Sequence, residues 1–261
     1  MNINKGHKSM KAMVSIVVPV YNVREYIVET IKTVEKQTYS NWELLLIEDG
    51  SSDGTQLEIE AYLDKLDDDR IRLIKLSNNV GPAEARNQGV LMARGRYVAF
   101  LDADDLWSAD KLEKQLRFMQ KHEVGFTFTS YEFADASGTG TGKIAKVPAR
   151  ITYKEALRNT IIFTSTVMFD TAVVPKEEIM MQQIKSEDTA LWWKILRAGI
   201  CGYGIQECLV LYRRIGNSLS SNKIEALRRI WNLYRKAERL CIAESAYNFC
   251  FWAVRAVKRR V

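Results

Sequence analysis

Histidine is almost missing from this chain: His7 and His122 are the only two in 261 residues. A catalytic histidine pair or a multi-histidine metal site is therefore not expected. Cysteine is also scarce. Cys201, Cys208, Cys241 and Cys250 form no C-x-x-C, so neither a zinc site nor a disulfide framework is indicated, and a reducing cytosol is the simpler setting. No apolar run approaches the roughly 20 residues that a membrane-crossing helix needs. Lys5, Lys8 and Lys11 precede the apolar run Val14 to Val20. That run is short, contains Pro19 and lacks a small-residue cleavage site, which argues against a secretory signal.

What remains is ordinary globular material, 47% apolar and 27% charged, enough for one large α/β domain with an appendage. The net charge of +6 is unevenly placed: residues 223–261 hold ten Lys/Arg against three Glu, a local +7 that leaves the first 222 residues at −1. The basicity belongs to the C-terminal segment. No internal repeat of solenoid length is present.

The most informative stretch is Gly95 to Trp107, G-R-Y-V-A-F-L-D-A-D-D-L-W. Tyr97 to Leu101 is an uncharged run of strand formers, of the kind buried on both faces of a parallel sheet. It delivers Asp102, Asp104 and Asp105 at its C-terminal end, the edge where open α/β sheets bind ligands. Asp102 and Asp104 are two apart, so in extended chain they point the same way and can address one hard cation such as Mg²⁺ or Mn²⁺. A D-x-D alone carries little information, since about one arises by chance in a chain of this size. Its position after a buried strand carries more.

Strand followed by helix occurs four times up to this point. Val14 to Val20 is the first strand, and Pro19, which cannot donate a ladder hydrogen bond, is expected to end it. Asn22 with Glu25 can cap the following helix, whose apolar stripe is Ile27, Ile31 and Val34. Trp42 to Ile47 is the second strand, leading into E-D-G-S-S-D-G-T at 48–55. Arg70 to Leu76 is the third. The turn from Asn78 to Pro82 opens a helix rich in small residues, with Arg86 and Asn87 in its first turns. These units predict a doubly wound, mostly parallel sheet whose polar loops gather at one edge.

Beyond Val124 the pattern changes. Gly125 to Tyr131 alternates like a half-buried strand, and Ile161 to Phe169 reads as an apolar strand. Gly138-Thr139-Gly140-Thr141-Gly142 is glycine-rich, but no helix or Lys-Ser/Thr pair follows, so it is expected to be a hairpin or loop tip and not a phosphate loop. Thr152 with Glu155 forms a capping box. Glu187 and Asp188 fall at a helix start, where, taken alone, acids are what the macrodipole favours. Leu209 to Arg214 is a last strand, and the segment from Lys223 onward is helical, mixing aromatics with basic residues.

Five motifs, P-V-Y-N at 19–22, E-D-G-S-S-D-G-T at 48–55, G-P-A-E-A-R-N at 81–87, D-A-D-D at 102–105 and S-E-D-T at 186–189, occur in one order and one spacing. Together, over about residues 13–215, they resemble the family 2 glycosyltransferases, bacterial inverting enzymes of the Rossmann-like GT-A fold. The resemblance implies roles. Pro19, Tyr21 and Asp49 resemble the positions that hold the nucleotide base, with Val20, Asn22 and Ser51 beside them. Arg86, Asp102 and Ala103 resemble the ribose and diphosphate side. Asp104 resembles the ligand of Mn²⁺ or Mg²⁺, and Asp188, beside Glu187, the catalytic base. Residues 13–107 would then be the nucleotide-binding half of the catalytic domain and 108–220 its acceptor side, after a flexible start over 1–12 and before a helical extension over 221–261.

The family's frequent histidine after the base is replaced here by Tyr212-Arg213-Arg214-Ile215-Gly216-Asn217, where Arg213 or Arg214 can clamp a diphosphate or be surface charge. The Q-x-x-R-W motif and membrane helices of processive relatives are absent, which implies addition of a single sugar. A UDP-sugar donor, a saccharide acceptor on a lipid carrier and a place on the inner face of the cytoplasmic membrane are what the resemblance implies. The basic, aromatic C-terminal segment suits a helix on an anionic membrane surface, at about 1 kcal/mol per basic residue, or a helical pair packed on the domain. No nucleic-acid motif accompanies the charge. A nucleotidyltransferase and a non-catalytic sugar-nucleotide binding protein are the alternatives.

Overall fold

The computed structural model describes residues 12–215 and 223–258. The polar start over 1–11, the residues Gly216 and Asn217 and the terminal Arg259 and Arg260 lie outside the described residues.

β1 (Val14–Val20) and β2 (Trp42–Glu48) are buried almost throughout, as β-branched and leucine runs must be when helices cover both faces of a sheet. Between them α1 (Ile27–Glu35) turns Ile27, Ile31 and Val34 inward. α2 (Thr55–Leu63), β3 (Ile71–Lys75), α3 (Pro82–Met92) and β4 (Tyr97–Phe100) complete the four units. Their strands are parallel in the order β3-β2-β1-β4, so all four polar loops share one edge. β1 has the expected bounds and stops at Val20, one residue past Pro19. The β4 side of β1 closes where the Leu101 N–H donates to the Val17 carbonyl (3.1 Å). The N–H that Pro19 lacks would point past that closure, so no ladder bond is lost.

β5 (Leu106–Trp107) and α4 (Lys111–His122) lead to β6 (Phe126–Ala134), which turns back as β7 (Gly140–Ala145). Of the glycine-rich 138–142 stretch, Gly138 and Thr139 lie in the turn of that hairpin and residues 140–142 open β7. β8 (Arg150–Ile151), α5 (Tyr153–Ala156), β9 (Met168–Asp170), α6 (Glu187–Arg197) and β10 (Gly202–Arg213) follow. β9 runs antiparallel between β4 and β6, and β10 extends the sheet parallel to β6.

Two expectations change here. β6 is buried on both faces from Phe126 to Tyr131; its polar positions are covered because they are bonded, Thr127 accepting from Gln115 (3.2 Å) and Ser130 from the Val147 N–H (3.2 Å). The apolar strand expected over 161–169 is a 3₁₀ turn, Thr164–Thr166, and only then β9. Three successive hydroxyls offer the backbone local partners in place of a ladder, and the Thr166 N–H and hydroxyl both donate to the Phe163 carbonyl.

The C-terminal segment is two helices, α7 (Lys223–Asn232) and α8 (Ile242–Lys258), with a π-helical turn at Leu233–Ala237. The expected continuous helix is interrupted at Arg239, whose φ is 55°. One face packs on the domain: Tyr234 stacks on Trp193 with ring centroids 5.1 Å apart, and the Trp252 indole N–H donates to Thr160 (2.9 Å). The other face turns Ile242, Tyr247, Phe251 and Val254 outward.

Candidate active site

The first two loops are knitted together. Asn22, expected to cap α1, instead sits in the left-handed region with φ 52°. Its backbone N–H donates to Ser51 Oγ (3.0 Å) and its Oδ1 accepts from the Ser52 N–H (2.8 Å). Asp49 is buried, and its carboxylate accepts from the Val80 and Gly81 N–H groups (2.7 and 2.9 Å), fixing the turn that opens α3. Tyr21 is half-exposed at the rim.

α3 is seated hard on β1: a Cβ at Gly89 would lie 2.3 Å from Val17 Cγ1. One turn earlier, Arg86 is buried and forms ion pairs with Asp102 (2.6 Å) and Glu187 (3.1 Å). Burial opposes its charge, but Asp102 and then Glu187 outweigh that and hold the guanidinium protonated. Arg86 thereby joins two acid clusters far apart in sequence. Asn87 beside it exchanges hydrogen bonds with the backbone of Met181 (2.9 and 2.7 Å).

The D-A-D-D loop is braced from three sides. The Thr30 hydroxyl donates to the carbonyls of Ala103 (2.9 Å) and Asp105 (3.0 Å). Ser165 Oγ donates to the Asp105 carboxylate and accepts from the Asp102 N–H (3.0 Å). Arg213 donates through its backbone to Asp105 (3.1 Å), through Nε to the Asp104 carbonyl (2.8 Å), through Nη1 to the Ala136 carbonyl (2.8 Å) and through Nη2 to Glu29 (2.6 Å). Asp105 is fully buried and acts as an anchor, whereas Asp102 and Asp104 stay partly exposed. Burial, then the Asp102 carboxylate, push the Asp104 carboxyl up to about 6. Burial, then Asp104 and Asp102, push Asp105 well above the carboxylate range.

Glu187 opens α6, and Asp188 follows it. Burial and the adjacent Asp188 raise the Glu187 carboxyl. Asp188 accepts from the Thr164 hydroxyl (3.3 Å) and from the Thr189 N–H (2.6 Å). The Thr164–Thr166 turn therefore touches both acid clusters, Ser165 on one side and Thr164 on the other.

Residues 15–174 match the family model described as Glycosyl transferase family 2. The chain belongs to that family. Among its relatives, the Bacillus subtilis (strain 168) protein TuaG, named for teichuronic acid biosynthesis, is 42% identical over 252 residues, 96% of this chain and 98% of TuaG. The Escherichia coli UDP-Glc:alpha-D-GlcNAc-diphosphoundecaprenol beta-1,3-glucosyltransferase WfgD is 37% identical over 226 residues, 85% of each chain. The fold matches S. aureus TarS 1-349 solved with UDP-GlcNAc, with a TM-score of 0.68 at 21% identity over 92% of this chain and 71% of that one. It also matches a Pyrobaculum calidifontis mannosyltransferase solved with GDP-Man and Mn2+, with a TM-score of 0.70 at 20% identity over 87% and 64% of the two chains. The transferase thus has the GT-A fold.

In this transferase Arg86 bonds Asp102 and Glu187, Asp188 follows Glu187 on α6, and Asp104 lies two residues beyond Asp102 on the same loop. Arg213 is buried with all of its guanidinium nitrogens engaged internally, whereas Arg214 is exposed and lies over the Phe133 ring at 5.2 Å. Thr30, Glu29, Thr164 and Ser165 are parts of the site that the motifs did not indicate. The one sequence signal available was T-S-T, three hydroxyls inside an otherwise apolar run.

Proposed function

We propose that the transferase moves one sugar, with inversion, from a UDP-sugar to a saccharide on a lipid diphosphate carrier, at the inner face of the cytoplasmic membrane in cell-envelope polysaccharide synthesis. The observation that carries this reading is Arg86, one buried guanidinium bound to the donor-side acid Asp102 and to Glu187 beside the base. WfgD's name, with its UDP-Glc donor and diphosphoundecaprenol acceptor, supports the same substrate classes.

Residues 13–107 take the donor, with Pro19, Val20, Tyr21, Asn22, Asp49 and Ser51 around the nucleoside and Arg86, Asp102 and Ala103 toward the diphosphate. Residues 108–220 take the acceptor. Arg214, which is exposed, would be the one to clamp the diphosphate; Arg213 would first have to leave its internal partners. Asp102 and Asp104 are hard oxygen donors, and the repulsion that raises Asp104 is what a divalent cation relieves. Among the described residues no cluster of three or more His, Cys, Asp or Glu is arranged as a metal cage. Asp104, a partly exposed carboxylate, would hold Mn²⁺ or Mg²⁺ together with substrate phosphates. When bound, the ion neutralises charge on the departing diphosphate.

Asp188 takes the proton of the acceptor hydroxyl as that oxygen bonds to the anomeric carbon. The bond from that carbon to the diphosphate breaks on the opposite face, which inverts the configuration. Glu187, held by Arg86, steadies the start of α6. Incubation with UDP-, GDP- and dTDP-sugars and Mn²⁺ or Mg²⁺ tests the reading through slow nucleoside diphosphate release. Release from a UDP-sugar that disappears in Asp104→Ala is the expected result. Asp188→Asn should keep UDP binding and lower transfer about 10²–10⁴-fold. If the unmodified chain neither binds nor hydrolyses any donor, the reading fails.

A further inference from the structure

At the C-terminal ends of β6 and β10 lies an aromatic cluster that neither donor binding nor the base accounts for. Tyr131 and Phe133 are two apart on β6 and share a face. Tyr212 of β10 is in register with Phe133, and Phe163 leans on it from the segment entering the Thr164–Thr166 turn. Ring centroids are 4.3 Å apart for Phe163 and Tyr212, 5.6 Å for Phe133 and Tyr212, and 5.2 Å for Phe163 and Tyr131. Tyr131 is buried beneath, while Phe133, Phe163 and Tyr212 are only partly buried.

The location matters more than the packing. Phe163 is adjacent to Thr164, which donates to Asp188. Tyr212 is adjacent to Arg213, which braces the Asp104 carbonyl. The cluster therefore adjoins the turn whose Thr164 holds Asp188, and it lies on the half of the sheet proposed to take the acceptor.

We propose that Phe163, Tyr212 and Phe133 seat the sugar ring of the acceptor. This rests on the reading of Asp188 as the base, since the hydroxyl it deprotonates belongs to a ring that must lie next to it. The face of an aromatic ring carries partial negative charge, and the C–H face of a pyranose presents partial positive charge, so the two pack together. The partly exposed rings form a patch with the exposed Arg214 guanidinium over Phe133 at 5.2 Å. Aromatic surface beside a guanidinium donor matches a ligand with an apolar face and hydroxyls that accept hydrogen bonds.

The test measures acceptor and donor kinetics separately. A panel of short-chain diphosphoryl-lipid saccharides, beginning with GlcNAc, identifies an acceptor for the unmodified chain. Phe163→Leu and Tyr212→Leu should then raise the acceptor KM about tenfold each. Donor KM, UDP affinity and acceptor-independent donor hydrolysis should be unchanged. Tyr212→Phe, which keeps the ring, should retain the original acceptor KM. An unchanged acceptor KM in both leucine variants overturns the proposal, as does a Tyr212→Phe variant as impaired as Tyr212→Leu. Loss of UDP affinity in the leucine variants also overturns it, because the cluster would then be part of the general scaffold. Absence of any donor turnover or binding in the unmodified chain would instead defeat the glycosyl-transfer reading.

Discussion

Asp104 is a carboxylate kept where charge is disfavoured. Its carboxyl titrates at about 6 in the folded chain against an ordinary value of 3.8. Between those values the folded state binds more protons than the unfolded state. Its contribution to stability therefore falls as pH rises through that window and stays lowered above it. Asp104→Asn removes the effect. Without divalent cation, its melting temperature should exceed that of the unmodified chain at pH 7.5, with the gain vanishing near pH 4. A relief of each kcal/mol corresponds to about 2–4 °C for a chain of this size. Calorimetry at the two pH values checks it, and an equal gain at both would show that charge is not the cause. At this scale the sequence was partly legible. Asp104 and Asp188 stand in motifs, but the anchoring role of Asp105 depends on Ser165, 60 residues away, and on Arg213, 108 away. Local spacing cannot express such partners.

Among the elements that position the site, α3 is closely constrained, because Gly89 lets it lie directly on β1. Gly89→Ala should push the helix outward, lowering stability by about 1–3 kcal/mol and weakening UDP binding as Arg86 loses its place between Asp102 and Glu187. Urea unfolding and UDP titration measure the two effects; if neither moves, α3 has slack that the geometry denies. The four opening strand–helix units were legible because β1, β2 and β4 are largely apolar runs and each helix shows its own period or turn. The second half was less so. β6 looked half-buried because Thr127, Thr129 and Ser130 alternate with aromatics, yet their hydroxyls are bonded within the interior. Residues 161–167 looked extended because apolar composition outweighed the hydroxyls that curl them into a turn.

For the whole molecule, charge and exposed apolar surface coincide at the C-terminal end. Ile242 and Val254 are 68% and 57% exposed, and no helix among the described residues is long and apolar enough to cross a membrane. The proposed peripheral attachment predicts co-sedimentation with vesicles containing phosphatidylglycerol, weak binding to phosphatidylcholine alone, and release as salt rises. Tyr247→Ser with Phe251→Ser should reduce binding without altering UDP affinity; equal binding to both lipids would remove the electrostatic part of the proposal. Arg213 bears on something different, the order of events during synthesis. Its ion pair with Glu29 spans 184 residues, and its other bonds brace the acid loop made 108 residues earlier. A growing chain that has emitted every motif acid but not β10 lacks this brace. Contacts of such separation cannot form until both segments exist, so the acid loop gains this brace only after β10 has been made.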